Sequence, residues 1–369
     1  MRLHRLFDPL LKLGLSLKRR PGKPEGVLLI SAGGLGDTVL LAVVLPRFME
    51  LARPGESVTV LLRADAARMG FLFPPGVRVR AVDFRRLRDL GLRWRVFSDL
   101  YMAHYRLVVH TDYLRHPDLD EALVAAAAAP ESAAMEPRPS DKHGARLAGN
   151  RRLYSRLFDS GPPRTDKVMR WAAFADFLTG ASRPAPLVRL PPAIEAEPQL
   201  APTVLFQPFS AVKAKQSPPE LWALIAGSLP HGWRVRLAGH PSDLDKNPDF
   251  RRLLDLPNVE FEGAPFERLA AIIRGCRLVV SVDTACMHLA VALGTPTLCL
   301  ASAAYVGEIV PYADEVTPAN MHVLYSPMEC QGCLGNCYFP PENGMYPCVA
   351  ALDPDAVLAS VADIIARGC

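Results

Sequence analysis

The sequence predicts an α/β protein built from two doubly wound, Rossmann-like domains. Three observations carry this. From residue 26 onward, short Val- and Leu-rich runs alternate with stretches of helical spacing, the pattern of parallel strands joined by crossover helices. The alternation restarts after a proline-dense stretch (Pro184, Pro186, Pro191, Pro192, Pro198, Pro202) that suits a semi-rigid connector. The chain has 369 residues, half of them hydrophobic, enough for two cores. The resulting division is a basic amphipathic segment 1–25, a first domain 26–180, a linker 181–202, a second domain 203–352 and a C-terminal helix 353–369.

In residues 1–25, Leu3, Leu6, Phe7, Leu10, Leu13 and Leu17 recur at spacings of one, three and four. Arg2, Arg5, Lys12, Lys18, Arg19, Arg20 and Lys23 face only Asp8 and Glu25. The segment fits a helix on an anionic membrane surface. It equally fits a helix packed on the protein's own core, or a frayed terminus.

Gly26–Ser31 reads as a strand, Ala32–Asp37 as a glycine turn and Thr38–Ala52 as a long helix. The G-x-G-x-x-G spacing is missing, which argues against dinucleotide redox chemistry. Gly33, Gly34 and Gly36 allow tight backbone geometry and close approach of a ligand. Asp37 is either the cap of the following helix or a general base at the sheet's edge, kept ionised by the helix dipole. Strands follow at 57–62, 77–82 and 106–110, and Ala125–Ala129 reads as buried helix. His110, Asp112, Arg115 and His116 lie just past a strand end, where a polar surface loop is the simpler reading. Residues 136–167 form a basic, Pro- and Gly-rich excursion that fits a cationic lid or a solvated surface.

In the second half, strands are expected at 204–207, 234–238 and 259–261, with helices at 218–229, 250–254 and 266–274. Leu278–Val282 is a further apolar strand. Asp283-Thr284 reads as a capping pair, and Met287, Leu289, Ala290 and Leu293 keep helical spacing until Gly294. Such a strand–cap–helix junction presents free N–H groups and a positive dipole end, a ready phosphate site, although any helix needs a cap. Thr284–Gly307 lacks Asp, Glu, Lys and Arg, but Gly294, Thr295 and Pro296 divide it into buried helix and strand.

Net charge is only +4 and no nucleic-acid motif is present, so no nucleic-acid partner is expected. Of eight cysteines the first is Cys276. With no cleavable secretory signal evident, reduced thiols and a cytoplasmic location are expected. Cys330, Cys333, Cys337 and Cys348 lie in a Gly- and Pro-rich loop, 330–348, with spacing that suits structural zinc or iron, or else reduced loop thiols.

Over most of residues 26–365 the chain resembles the ADP-heptose:lipopolysaccharide heptosyltransferases, glycosyltransferase family 9. Three motifs carry the resemblance: Val279-Val-Ser-Val-Asp-Thr-x-x-x-His288-Leu-x-x-Ala-Leu293, Leu35-Gly36-Asp37 with Val39 and Leu40, and Lys215-x-x-Pro218-Pro219-Glu220. The resemblance implies a GT-B fold, two Rossmann-like domains facing across a cleft, with the acceptor on the first and the nucleotide sugar on the second. It implies inverting transfer of a heptose-type sugar from ADP-heptose to a lipopolysaccharide inner-core acceptor at the inner face of the inner membrane, with no metal at the reacting centre. Asp37 then matches the general base and Lys215 the cation facing the departing diphosphate. Ser210, Asp283, Thr284, Ala285 and His288 match donor contacts, and Asp243 or Asp245 the ribose contact. Gly33, Gly34 and Gly36 form the acceptor-side loop. The chain departs from the family at Ser31, Gly33, Gly34, Ser217, Ala285 and Ser302-Ala303-Ala304, which leaves sugar and acceptor open. A nucleotide-sugar-binding or assembly protein without transfer is the alternative.

Overall fold

The computed structural model describes the backbone of residues 3–368 and the side chains of residues 6–367. Arg2, Cys369 and the side chains of Leu3 and Arg5 lie outside the described residues. Two compact units are present: Met1–Pro163 with Arg170–Pro184, and Arg164–Met169 with Ala185–Cys369.

The first unit begins with α1 (Leu3–Ser16). Its sheet strands are β1 (Val27–Ser31), β2 (Val58–Arg63), β3 (Arg78–Val82), β4 (Leu107–His110), β5 (Glu131–Met135) and β6 (Arg156–Phe158). The connecting helices are α2 (Leu35–Met49), α3 (Leu90–Ala103), α4 (Asp120–Ala127), α5 (Gly144–Asn150) and α6 (Lys167–Thr179), the last contributing its residues from Arg170 on. All six strands are parallel, in the order β3-β2-β1-β4-β5-β6. The central strands β1 and β4 are buried at every position, because helices cover both faces; this is why they read as continuous apolar runs. Order reverses between β1 and β4, so loops from their carboxyl ends diverge and leave a crevice.

The second unit repeats the plan. Its strands are β7 (Thr203–Gln207), β8 (Arg234–Ala238), β9 (Val259–Glu262), β10 (Leu278–Val282), β11 (Thr297–Leu300) and β12 (Met321–Leu324). Its helices are α7 (Pro219–Ser228), α8 (Pro241–Lys246), α9 (Phe266–Gly275), α10 (Ala285–Ala292), α11 (Pro347–Ala350) and α12 (Pro354–Gly368). The parallel order β12-β11-β10-β7-β8-β9 puts the reversal between β7 and β10. The proline-rich stretch after Pro184 is hydrogen-bonded along this unit: Val188 N–H donates to Val316 O (2.9 Å), Leu190 N–H to Ala292 O (2.7 Å) and Glu197 N–H to Ala271 O (2.8 Å). α12 packs into the second unit's core through Val357, Val361 and Ile364. Among the described residues no helix is long and apolar enough to cross a membrane.

Candidate active site

In the second unit the loops leaving β7 and β10 meet at the reversal point. Lys215, in the loop after β7, is buried; its Nζ lies 2.8 Å from Asp283 Oδ2 and donates to Asp283 O at 3.2 Å. The Tyr305 ring sits 4.3 Å from the same ammonium. The same Oδ2 accepts from Ser302 Oγ at 3.2 Å, while Oδ1 is buried with no partner. Burial pushes the Asp283 carboxyl above the usual range, opposed by Lys215. Asp283 is therefore the seat of a buried ion pair and not a helix cap, correcting the capping-pair expectation. The cap of α10 is Thr284, whose side chain makes no capping bond; its Oγ1 donates instead to Gln207 Oε1 at 3.2 Å. The N–H groups of the first turn of α10, beginning at the half-exposed Ala285, stay free of side-chain caps. A cation, a helix N-terminus and hydroxyl groups converge here, the combination a diphosphate needs.

The other residues expected on the donor side divide. Ser210 is half-buried in the same loop, and its Oγ accepts from Val212 N–H at 3.2 Å. Asp243 lies past the end of β8, where its Oδ2 accepts from His240 N–H at 2.9 Å at the start of α8. Gly239 is required there, because a Cβ would stand 2.7 Å from the Phe209 ring. Asp245 is exposed and paired with Arg251 at 2.5 Å. His288 is buried under α10, with Nδ1 2.5 Å from Tyr312 Oη. It faces the helix's packed side, as a helix-orienting residue would.

The cysteine loop walls this site. Gly332 N–H donates to Ala303 O (2.8 Å), Leu334 N–H to Ala304 O (2.7 Å) and Tyr346 N–H to Ala214 O (2.8 Å), tying the loop to the segments that carry Tyr305 and Lys215. Cys330 Sγ and Cys337 Sγ are 3.9 Å apart, and burial and that neighbour push the Cys330 thiol up to about 11. Cys348 Sγ is turned toward Ala303 N–H, at 3.4 Å. Among the described residues no group of three or more His, Cys, Asp or Glu side chains is arranged to hold a metal.

In the first unit Asp37 is the third residue of α2, and Gly34 is the cap. Asp37 Oδ2 reaches back to accept from Gly34 N–H at 2.7 Å, leaving the residue half exposed beyond β1. Gly33 is fixed by this geometry: a Cβ there would stand 2.5 Å from Asp37 Cβ. The loop is pinned from β4, since Asp112 Oδ2 accepts from Ala32 N–H at 2.5 Å.

The residues after β4 overturn the surface-loop expectation. His110, Asp112 and Arg115 are buried, because α4 brings two acids beneath them. His110 Nδ1 accepts from Asp112 N–H (3.2 Å), which places its proton on Nε2, 3.2 Å from Asp120 Oδ2. Arg115 Nε donates to Glu121 Oε1 at 2.9 Å, and Glu121 also accepts from Asn150 and Tyr154. Beside them a cavity of about 680 Å³ opens at the carboxyl edge, lined by Ala32, Arg63, Phe84, Arg85, Arg88, Leu114, His116 and His143 among others. Sequence reasoning missed Arg85 and Arg88, which lie in a basic surface run, and Tyr305, which no motif marks.

Residues 164–338, which carry Lys215, Asp283, Thr284 and His288, match the family described as glycosyltransferase family 9 (heptosyltransferase). No curated protein matches the sequence. Among solved structures, the chain is similar to a family 9 glycosyl transferase from Veillonella parvula (14% identity, 94% of this chain and 98% of that one, TM-score 0.68). It is also similar to E. coli heptosyltransferase WaaC with ADP-2-deoxy-2-fluoro heptose (21% identity, 91% and 99% covered, TM-score 0.66). E. coli ADP-heptose lps heptosyltransferase II gives 16% identity, 93% and 99% covered, and a TM-score of 0.66. The fold is that of the GT-B heptosyltransferases, two parallel six-stranded sheets with helices, as the sequence predicts.

Proposed function

We propose that the protein transfers a heptose-type sugar from ADP-heptose to a lipopolysaccharide inner-core acceptor at the cytoplasmic face of the inner membrane. One observation carries this reading: a buried lysine at a strand-order reversal, beside an uncapped helix N-terminus, inside a family 9 stretch. In the proposed step an acceptor hydroxyl attacks the anomeric carbon and the bond from that carbon to the diphosphate oxygen breaks, inverting the centre. Asp37 takes the hydroxyl proton. Lys215 and the first turn of α10 stabilise the charge that collects on the departing ADP, with no metal required at that point. Asp283 keeps Lys215 aimed. Ser210, Thr284 and the Ala285 N–H serve the phosphates, and Asp243 the ribose. The 680 Å³ cavity of the first unit, with Arg85, Arg88 and two histidines on its wall, suits an anionic acceptor.

A turnover screen across nucleotide sugars, run beside calorimetric titration, tests this. Asp37→Ala should abolish turnover and keep donor binding. Lys215→Ala should weaken donor binding or the chemical step; if neither changes, the diphosphate assignment fails. Tight ADP-sugar binding with no turnover on any acceptor would instead make the chain a nucleotide-sugar-binding protein.

A further inference from the structure

The helix α1 precedes the first sheet and carries two apolar stripes on opposite sides. The inner stripe is Asp8, Leu11 and Leu15 at intervals of three and four, continued by Lys18 beyond the helix end. Leu15 is buried in the first unit's core and Leu11 packs against it. Asp8 receives the guanidinium of the fully buried Arg93, with Nε to Oδ1 at 2.6 Å and Nη2 to Oδ2 at 2.7 Å. Lys18 Nζ lies 4.7 Å from the Trp94 ring centre. These contacts already fix the helix to α3.

The outer stripe takes no part in that anchoring. Leu6, Leu10 and Leu13, with Leu17 one residue past the helix end, follow at intervals of four, three and four, one line about 150° from the inner stripe. Their exposures are 61%, 60%, 60% and 82%. Folding the unit does not require leucine at these four positions, and water disfavours it there. Around the stripe the side chains of Lys12, Arg19 and Lys23 are exposed. The one nearby acid on the helix, Asp8, is committed to Arg93.

We propose that the outer face of α1 docks the protein on an anionic phospholipid surface, the four leucines entering the acyl boundary and the cations meeting lipid phosphates. The charge pattern selects this occupant. A second copy would bring the same cations face to face around the leucines, whereas phosphate headgroups neutralise them. The inference rests on α1 alone, and its failure would leave the transferase reading untouched.

The test is co-sedimentation of the full chain with vesicles of phosphatidylcholine alone and of phosphatidylcholine with phosphatidylglycerol, at low and high salt. Binding is expected only to the anionic vesicles and should weaken with salt. Leu10→Asp with Leu13→Asp should weaken it about tenfold or more with melting temperature and ADP-sugar affinity unchanged. Arg19→Glu with Lys23→Glu, which leaves the leucines in place, should remove the preference for anionic vesicles. The proposal is overturned if the wild type ignores anionic vesicles, or if both double variants bind as well as it does. It is equally overturned if the wild type is a dimer that Leu10→Asp with Leu13→Asp converts to monomer, since a second copy then covers the stripe.

Discussion

Lys215→Met isolates the ion pair at the centre of the proposed donor site. The substitution keeps the aliphatic stem and removes the charge. Asp283 is then left buried with one hydrogen bond, from Ser302, and with Oδ1 still unpartnered. Breaking a buried pair from one side costs about 3–5 kcal/mol. Part of that cost is avoidable, because the carboxyl can take up a proton. Burial already raises Asp283, and Lys215 is what pulls it back. A carboxyl whose folded-state value lies above its unfolded value of about 3.9 stabilises the fold fully below that value and loses the contribution as pH rises. Without Lys215 the rise continues further, so the variant's deficit should grow by about 1.4 kcal/mol per pH unit until Asp283 ionises. We expect a loss of about 3 kcal/mol near pH ~8, or roughly 6–12 °C in melting temperature for a unit of this size, and much less near pH ~5. Urea unfolding followed by Trp222 and Trp233 fluorescence, both in the second unit, reads this directly. The double variant Lys215→Met with Asp283→Asn should recover most of the stability at the higher pH and none of the ADP-sugar binding. Equal stability of Lys215→Met and wild type at both pH values, or a double variant weaker than the single one, would refute the reasoning.

Three further outcomes follow from the first unit. Gly33→Ala places a methyl 2.5 Å from Asp37 Cβ, so the carboxylate must shift; turnover should fall roughly 10–100-fold while donor affinity, measured calorimetrically, holds. Arg88→Ala, on the wall of the 680 Å³ cavity, should raise acceptor KM severalfold without changing donor Kd. Hydrogen bonds from Arg106 bring Glu56 down from 4.5 to about 2. Glu56→Gln should therefore cost about 1–2 kcal/mol at neutral pH, where the ionised pair contributes in full. The gap should close as pH falls from about 4.5 toward 2, the window in which the wild type itself loses the pair, and chemical denaturation at several pH values will show it.

Both sheets were legible because parallel strands buried on two faces must be apolar throughout, and runs such as Val27–Ile30 and Leu278–Val282 have no other use. The proposed donor site was legible in part. Lys215, Asp283 and Thr284 sit in motifs, but no spacing says that Asp283 turns inward to the lysine and leaves the cap to Thr284 alone. The residues after β4 were misread for a related reason. A string of His, Asp and Arg looks solvated until Asp120 and Glu121, on the next helix, fold beneath it. Pairing partners distant in sequence turn polar residues into core, and local pattern carries no trace of them. The spacing of the four cysteines likewise carried no trace of the bonds from Gly332 and Leu334 that tie their loop to Ala303 and Ala304.

The guanidinium of Arg93 has a mechanical consequence. Besides Asp8 of α1 it holds Leu87 O at 3.0 Å and Asp118 O at 2.9 Å. Asp118 directly precedes Leu119 and Asp120, which form part of the 680 Å³ cavity's lining. One rigid, planar group thus joins the first helix to the cavity wall. A load applied to α1 cannot be absorbed locally, because letting go would strand a charge in an apolar interior. The first helix, Leu87 and the start of the cavity wall at Asp118 therefore share one anchor.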